Sequence, residues 1–192
     1  MPEPAAPLDL STRRRVHVTN VGGAGMSAVA TLLAESGHEV SGHDPAPTTP
    51  FLPMLGAAGV VVTTGPDRPP LPGDLDAVVT STATRDDDPD VVAARAGGVS
   101  VVHRSGALAG LTRERTTVAV AGTHGKTTTS ALVTTILAGT GRRPGWVVGA
   151  AIDHLGRSAA WGGDGPLVVE ADESDGTFLA LGAATAIVTN VE

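Results

Sequence analysis

The stretch VAVAGTHGKTTT, residues 118–129, constrains the fold more than any other part of the sequence. An apolar, β-branched run breaks into closely spaced glycines, and a lysine and three threonines follow. In this arrangement the glycines let backbone N–H groups converge on an anion, and the start of a helix adds partial positive charge. The stretch therefore predicts a strand, a phosphate-binding turn and a helix, which is a unit of an α/β fold with a parallel sheet.

Lys126 is the only lysine of the chain, and the remaining basic side chains are arginines. A compact ammonium group on a flexible stem suits phosphate oxygens in a tight loop better than the planar fork of arginine does. The hydroxyl of Thr127 is placed to bind Mg²⁺. The strict pattern G-x-x-x-x-G-K-[ST] fails because Val120 stands where it requires glycine. Spacing alone leaves open an ordinary glycine-rich turn with an exposed lysine.

A second glycine turn lies near the start of the chain. The apolar run VHVTNV (16–21) leads into GGAGMSAVATLLAESG (22–37), which has helical spacing, and then into HEVSGHD (38–44). Glycines at a first strand–helix turn, with an acidic residue about twenty positions later, are typical of a dinucleotide-binding fold. Asp44 is that acidic residue.

The remaining pattern predicts alternating strands and helices along the chain. Helices are expected over 89–96 and 126–141, and 104–116 is a helix or a link. Strands are expected over 60–63, 77–80, 99–103, 116–122, 146–150, 166–172 and 185–191. We predict a disordered tail (1–14), a Rossmann-like parallel-sheet domain (15–108) and the first part of a P-loop-type α/β ATPase domain (109–192), which is expected to be incomplete.

Composition excludes several classes of protein. Only 2% of residues are aromatic against 41% hydrophobic, so the core must be Val, Ala and Leu, which suits buried parallel strands. A net charge of −7 argues against a nucleic-acid-binding face. The absence of cysteine excludes disulfides and thiolate metal sites. No membrane-spanning run and no secretory signal are recognised, so a cytoplasmic protein is expected.

Four stretches together resemble the Mur ligases, the ATP-dependent amide-forming enzymes of peptidoglycan precursor synthesis. They are VGGAGMSAVA (21–30), VAGTHGKTTT (120–129), EADESDGTF (170–178) and AIVTNVE (186–192). The resemblance implies a first domain for a UDP-sugar, a central domain for ATP and a third domain that closes over the site. This chain would contain the first domain and part of the second. It is expected to be an inactive portion, because a metal-binding histidine that follows TNVE in the family is not in the sequence.

The resemblance also implies the reaction. ATP, with Mg²⁺, would phosphorylate the lactyl carboxylate of UDP-N-acetylmuramate, and the amine of L-alanine would attack the acyl phosphate. By the same resemblance Lys126 is the catalytic residue, and Thr127 and Glu170 bind Mg²⁺. An acidic surface loop is the alternative for the region around Glu170. The residues expected to bind ATP form one continuous segment: Gly122, Thr123, His124, Gly125, Lys126, Thr127 and Thr128.

The first glycine turn is implied to receive the UDP-sugar. The expected binding residues are Gly22, Gly23, Ala24, Gly25, Met26, Ser27, Asp44 and Ser81. Asn20 replaces a glycine of the family pattern, and asparagine tolerates a left-handed backbone better than most residues. For Asp44, a solvated acid at a strand end is an equal alternative.

Three other functions remain open from the sequence. One is the recycling ligase that adds a whole tripeptide to the same sugar nucleotide, although the glycine-turn motifs favour the alanine-adding enzyme. Another is an NAD-dependent oxidoreductase domain over residues 12–108. The last is a sugar-nucleotide-binding remnant without catalysis. The sequence does not determine the oligomeric state.

Overall fold

The computed structural model describes residues 6–171 and 177–191 and consists of two α/β units. Each unit is built on one five-stranded sheet. Within the described residues, no helix is both long enough and apolar enough to cross a membrane. The predicted α/β class with parallel sheets is confirmed.

The first sheet is entirely parallel and has the strand order β3-β2-β1-β4-β5. Its strands are β1 (Arg15–Thr19), β2 (Glu39–Asp44), β3 (Val61–Thr64), β4 (Ala77–Thr80) and β5 (Ser100–His103). Its helices are α1 (Ala24–Glu35), α2 (Leu52–Ala57), α3 (Pro89–Ala96) and α4 (Arg104–Arg113). The order reverses between β1 and β4, and ligands of Rossmann-like folds bind at such a switch point.

The second sheet has the order β10-β6-β9-β7-β8, and β8 is antiparallel to β7. Its strands are β6 (Thr117–Ala121), β7 (Gly145–Ile152), β8 (Arg157–Ala160), β9 (Leu167–Glu170) and β10 (Thr185–Val188). Its helices are α5 (Lys126–Gly139) and α6 (Thr177–Ala180), with a 3₁₀ turn over Asp153–Leu155. The carboxyl ends of β6, β9 and β10 meet at one edge because these strands run parallel.

A continuous apolar core joins the two units. Helix α1 buries every residue from Met26 to Leu33, so it is covered on all sides and not only by its own sheet. Leu167 and Val169 of β9 belong to the same core cluster as the first-unit valines. At the end of α1, Glu35 accepts hydrogen bonds from the Arg157 side chain and from the Trp161 backbone N–H at 2.7 Å. The two units are thereby fixed against each other.

The structure corrects the predicted domain limits in two places. Residues 6–14 are not a disordered tail, because Leu8 N–H donates to Gly106 O at 2.9 Å and Leu10 is buried. Residues 1–5 lie outside the described part of the chain. The boundary between 108 and 109 falls inside the continuous helix α4, so we place it after Arg113.

Candidate functional site

The turn between β6 and α5 has the backbone that its glycines predict. Gly122 has φ 132° and Gly125, the N-cap of α5, has φ 81°. Both values are in the left-handed region, which residues with a β-carbon rarely adopt. A side chain at Gly122 would also meet Thr189 and the backbone of Asn190. Both glycines are therefore required for the shape of the turn.

Lys126 folds back over this turn. Its ammonium group donates to Gly122 O at 2.6 Å and contacts Thr123 O at 3.4 Å. The residue is half-buried and lines a cavity of about 590 Å³ together with Glu170. Lys126 is therefore not the fully exposed lysine of an ordinary glycine-rich turn.

Glu170 stands at the carboxyl end of β9 and faces the start of α5. Thr127 Oγ1 donates to Glu170 Oε1 at 2.8 Å, and Gly149 N–H donates to Glu170 Oε2 at 2.6 Å. Within the described residues, no group of three or more His, Asp or Glu could hold a metal ion. The carboxylate of Glu170 and the hydroxyl of Thr127 are nevertheless oxygen groups of the kind that Mg²⁺ binds, since this ion commonly takes one or two carboxylates and completes its shell with phosphate and water.

The predicted acidic stretch EADESDGTF (170–178) is only partly described, because residues 172–176 lie outside the described part of the chain. Ala171 is buried, and its N–H donates to Val120 O at 2.8 Å. Thr177 is also buried. The half-buried Glu170 is therefore not part of an exposed loop.

The end of β10 lies against the turn between β6 and α5. Thr189 Oγ1 donates to His124 O at 2.6 Å, and His124 N–H donates to Asn190 Oδ1 at 2.9 Å. Thr123 N–H also reaches Asn190 O at 3.3 Å. Thr189 and Asn190 were not predicted as site residues. Their position directly after a strand that ends beside β6 was the available signal.

The first glycine turn is supported from behind by a buried carboxylate. Asp44 is 8% exposed and accepts from Gly22 N–H at 2.8 Å and from Ala46 N–H at 2.9 Å. The solvated alternative for Asp44 is therefore wrong. Asn20 has φ 47° and is the only residue other than glycine with positive φ in the described chain. The turn thus keeps its shape without the family glycine.

Some predicted UDP-sugar residues do not present their side chains to a ligand. Met26 and Ser27 are buried, and Ser27 Oγ donates to Ala24 O at 3.0 Å within α1. Ser81 lies after β4, where its backbone N–H donates to Thr84 Oγ1 at 3.1 Å. The burial of Met26 and Ser27 leaves only their backbone groups for the predicted UDP-sugar contact.

The cavity of about 590 Å³ lies between the two glycine turns. Ala24 and Gly25 line one side, and Lys126 and Glu170 line the other. Of the predicted site residues, these four are the ones that line the cavity, and the other residues of both glycine turns, with Asp44 and Ser81, lie outside its lining. The guanidinium of Arg104 lies against the backbone of Gly25. Arg104 also lines the cavity, and the sequence did not predict it as a site residue. Apolar side chains complete the wall: Phe51, Met54, Leu108 and Val147.

A larger groove, of about 840 Å³, lies elsewhere between the units. It is lined by residues such as Arg13, Arg115 and Trp161, and it contains none of the predicted site residues. The smaller cavity is therefore the candidate site, since it brings the two glycine turns together.

Comparison with known proteins gives a consistent family. The description "Mur ligase family, catalytic domain" matches residues 15–116, which cover the first unit. A UDP-N-acetylmuramate–L-alanine ligase of Thermobifida fusca is 45% identical over 190 residues, covering 99% of this chain and 40% of that relative. The same enzyme of Kineococcus radiotolerans is 47% identical over 181 residues, covering 93% and 38%. The chain thus spans about two-fifths of the length of these curated relatives.

Solved structures agree with this result. The UDP-N-acetylmuramate-alanine ligase MurC from Thermotoga maritima matches with a TM-score of 0.82 and 31% identity, over 94% of this chain and 42% of that one. A UDP-N-acetylmuramate:L-alanyl-gamma-D-glutamyl-meso-diaminopimelate ligase from Neisseria meningitides matches with a TM-score of 0.78 and 28% identity, over 94% and 61%. With the family description covering more than half of its residues, the chain belongs to the Mur ligase family.

Proposed function

We propose that this chain carries the sugar-nucleotide-binding and ATP-phosphate-binding parts of a ligase that joins L-alanine to UDP-N-acetylmuramate. The observation that carries the proposal is that the two glycine turns open on one cavity. Lys126 and Glu170 lie on one side of that cavity, and Ala24 and Gly25 on the other. A carboxylate of a substrate held at the first turn would thereby face a phosphate held at the second.

The second turn supplies the groups for phosphoryl transfer. The backbone amides of Gly122–Thr128 and the start of α5 would hold the ATP phosphates, and Lys126 would stabilise the charge of the transferring phosphoryl group. Thr127 and Glu170 would hold Mg²⁺, which neutralises phosphate oxygens when bound. Transfer to the lactyl carboxylate would give an acyl phosphate and ADP. Attack by the amine of L-alanine would then form the amide and release phosphate.

The first turn would hold the diphosphate of the sugar nucleotide. Backbone amides of Gly22–Gly25 at the start of α1 are the proposed donors, because a helix N-terminus favours an anion. Asp44 would act by holding the turn, since both of its oxygens already accept backbone N–H groups. Ser81 remains a proposed contact on the neighbouring strand. We place the reaction in the cytoplasm, where ATP is available.

The recycling ligase is a second candidate because one similar structure is a tripeptide ligase. The curated alanine ligases are more similar in sequence, at 45% and 47% identity against 28% for that structure. Membership of the Mur ligase family removes the oxidoreductase alternative. These comparisons favour L-alanine as the acceptor.

The test is ADP release by the full-length protein with ATP, Mg²⁺ and UDP-N-acetylmuramate. We expect release to require L-alanine and not to be supported by the tripeptide L-Ala-γ-D-Glu-meso-diaminopimelate. Preference for the tripeptide would replace the proposal with the recycling reaction. Saturable sugar-nucleotide binding without any ADP release would instead favour the non-catalytic remnant.

A further inference from the structure

Strand β7 leaves its regular pairing next to the candidate metal site. It pairs with β9 only from Gly145 to Val147. Its pairing with β8 is interrupted between Val147 and Ile152, where the register shifts. Such irregularities free backbone groups from the ladder and re-aim them, often beside active sites. The N–H of Gly149, inside this interruption, donates to Glu170 Oε2 at 2.6 Å.

The space around Gly149 is tight for any residue with a β-carbon. A β-carbon there would lie 3.0 Å from Glu170 Oε2, 3.1 Å from Thr127 Oγ1 and 3.3 Å from Glu170 Oε1. The backbone of Gly149 is outside the left-handed region, so its conformation alone does not demand glycine. A side chain at this position would require Glu170 or Thr127, the two candidate metal ligands, to shift by a few tenths of an ångström.

We propose that Gly149 is a positioning residue for the Mg²⁺ site, an inference that rests on the proposed function. Its N–H fixes one oxygen of the Glu170 carboxylate, and Thr127 Oγ1 contacts the other. Its missing side chain leaves room for the cation and the water that Mg²⁺ retains. The carboxylate is thus oriented before the metal arrives, by a residue that does not itself bind metal.

The test compares Gly149→Ala with wild type in the full-length protein. Mn²⁺ binding is followed by electron paramagnetic resonance with ADP present, and ADP release is measured against Mg²⁺ concentration. We expect the Mn²⁺ dissociation constant and the half-saturating Mg²⁺ concentration to rise about tenfold. This value is at the lower end of the loss in metal affinity that follows when a hydrogen-bond partner of a metal ligand is disturbed. The matched control is Gly139→Ala, where an added β-carbon meets nothing within 4 Å. Unchanged metal affinity in Gly149→Ala would overturn the proposal.

A second measurement avoids changing Gly149. Hydrogen exchange of the peptide 145–152 should be faster in Glu170→Ala than in wild type, because the Gly149 N–H loses its acceptor. Equal exchange would contradict the proposed contact even if Gly149→Ala failed to fold. Failure of the proposed function is distinct, because wild-type protein would then show no L-alanine-dependent ADP release at any Mg²⁺ concentration.

Discussion

The two glycine turns of this chain share a strand–turn–helix layout but differ in the position of their carboxylates. Behind the first turn, Asp44 is buried and accepts N–H groups of the backbone. In front of the second turn, Glu170 faces Thr127 and lines the cavity beside Lys126. A carboxylate behind a turn supports its shape, whereas one in front of it can hold a cation against bound phosphates.

This comparison explains how one layout serves two proposed tasks. The first turn would bind a diphosphate that does not react, so it needs amides and a rigid frame. The second would bind phosphates that react, so it needs a mobile positive charge and a metal ligand as well. Substitutions at five positions test this division, each made in the full-length protein.

Lys126→Ala should have the largest effect. Without the ammonium group the charge of the transferring phosphoryl group is unsupported, so ADP release should fall about 10³-fold or more. The affinity for UDP-N-acetylmuramate, measured by calorimetry, should stay within about twofold because the first turn is unchanged. Arg85→Ala, whose side chain is 81% exposed, is the control. A nearly normal rate in Lys126→Ala would remove the distinction between the turns.

Gly122→Ala should come next. The φ angle of Gly122 lies in the left-handed region, and the added methyl group would collide with Thr189 and Asn190. The free energy of unfolding should therefore fall by about 2–3 kcal/mol. The KM for ATP should rise while that for the sugar nucleotide does not. Denaturant titration and steady-state kinetics measure the two effects. Gly73→Ala, with nothing within 4 Å of the added carbon, is the control; equal behaviour of the two variants would contradict the turn geometry.

Asp44→Asn should give the reverse kinetic pattern. The amide keeps one acceptor, so the two N–H groups of Gly22 and Ala46 can no longer both be bonded, and the loss costs about 1–3 kcal/mol and loosens the hold on the first turn. The KM for UDP-N-acetylmuramate should rise while that for ATP stays constant. Glu170→Gln, assayed in parallel, should raise the Mg²⁺ requirement and leave the sugar-nucleotide KM unchanged. If both variants changed the same constant, the two carboxylates would not have separate roles.

Substitutions of Asn20 should have the smallest effect. Its φ of 47° costs most residues about 1–2 kcal/mol, so Asn20→Ala should lower stability by about 1 kcal/mol. Asn20→Gly should change it by less, since glycine accepts this backbone at an entropic cost in the unfolded chain. Thermal unfolding measures the stability of both variants against wild type. A more stable Asn20→Ala would mean that this backbone conformation is not required.

The local parts of the fold were predictable from the sequence. Helix α3 begins and ends at the predicted residues because Pro89 can occupy the first turn and Asp88 caps it by accepting the Asp90 N–H. The turn between β6 and α5 was also predictable, because its glycines and Lys126 are contiguous in the sequence. Asn20 in a left-handed turn also agreed with the expectation from its side chain.

The parts that depend on distant contacts were not predictable. The antiparallel strand β8 was missed because a glycine-containing interruption in β7 hides the alternation of the hairpin. The contact of Gly149 with Glu170 joins residues from two strands, and no local spacing signals it. The hydrogen bond from His124 N–H to Asn190 Oδ1 also joins distant parts of the chain, and no local spacing signals it. The burial of Met26 and Ser27 was not predictable either, because a glycine-turn motif does not show that α1 is covered on all sides.

The most direct test of the account is a crystal structure with a non-hydrolysable ATP analogue, Mg²⁺ and UDP-N-acetylmuramate bound together. We expect the γ-phosphate within hydrogen-bonding distance of Lys126 Nζ, the metal on Glu170 and Thr127, and the UDP diphosphate at Gly22–Gly25. The lactyl carboxylate would then point across the cavity towards that phosphate. An ATP analogue bound at Gly22–Gly25, with Lys126 turned to solvent, would contradict it.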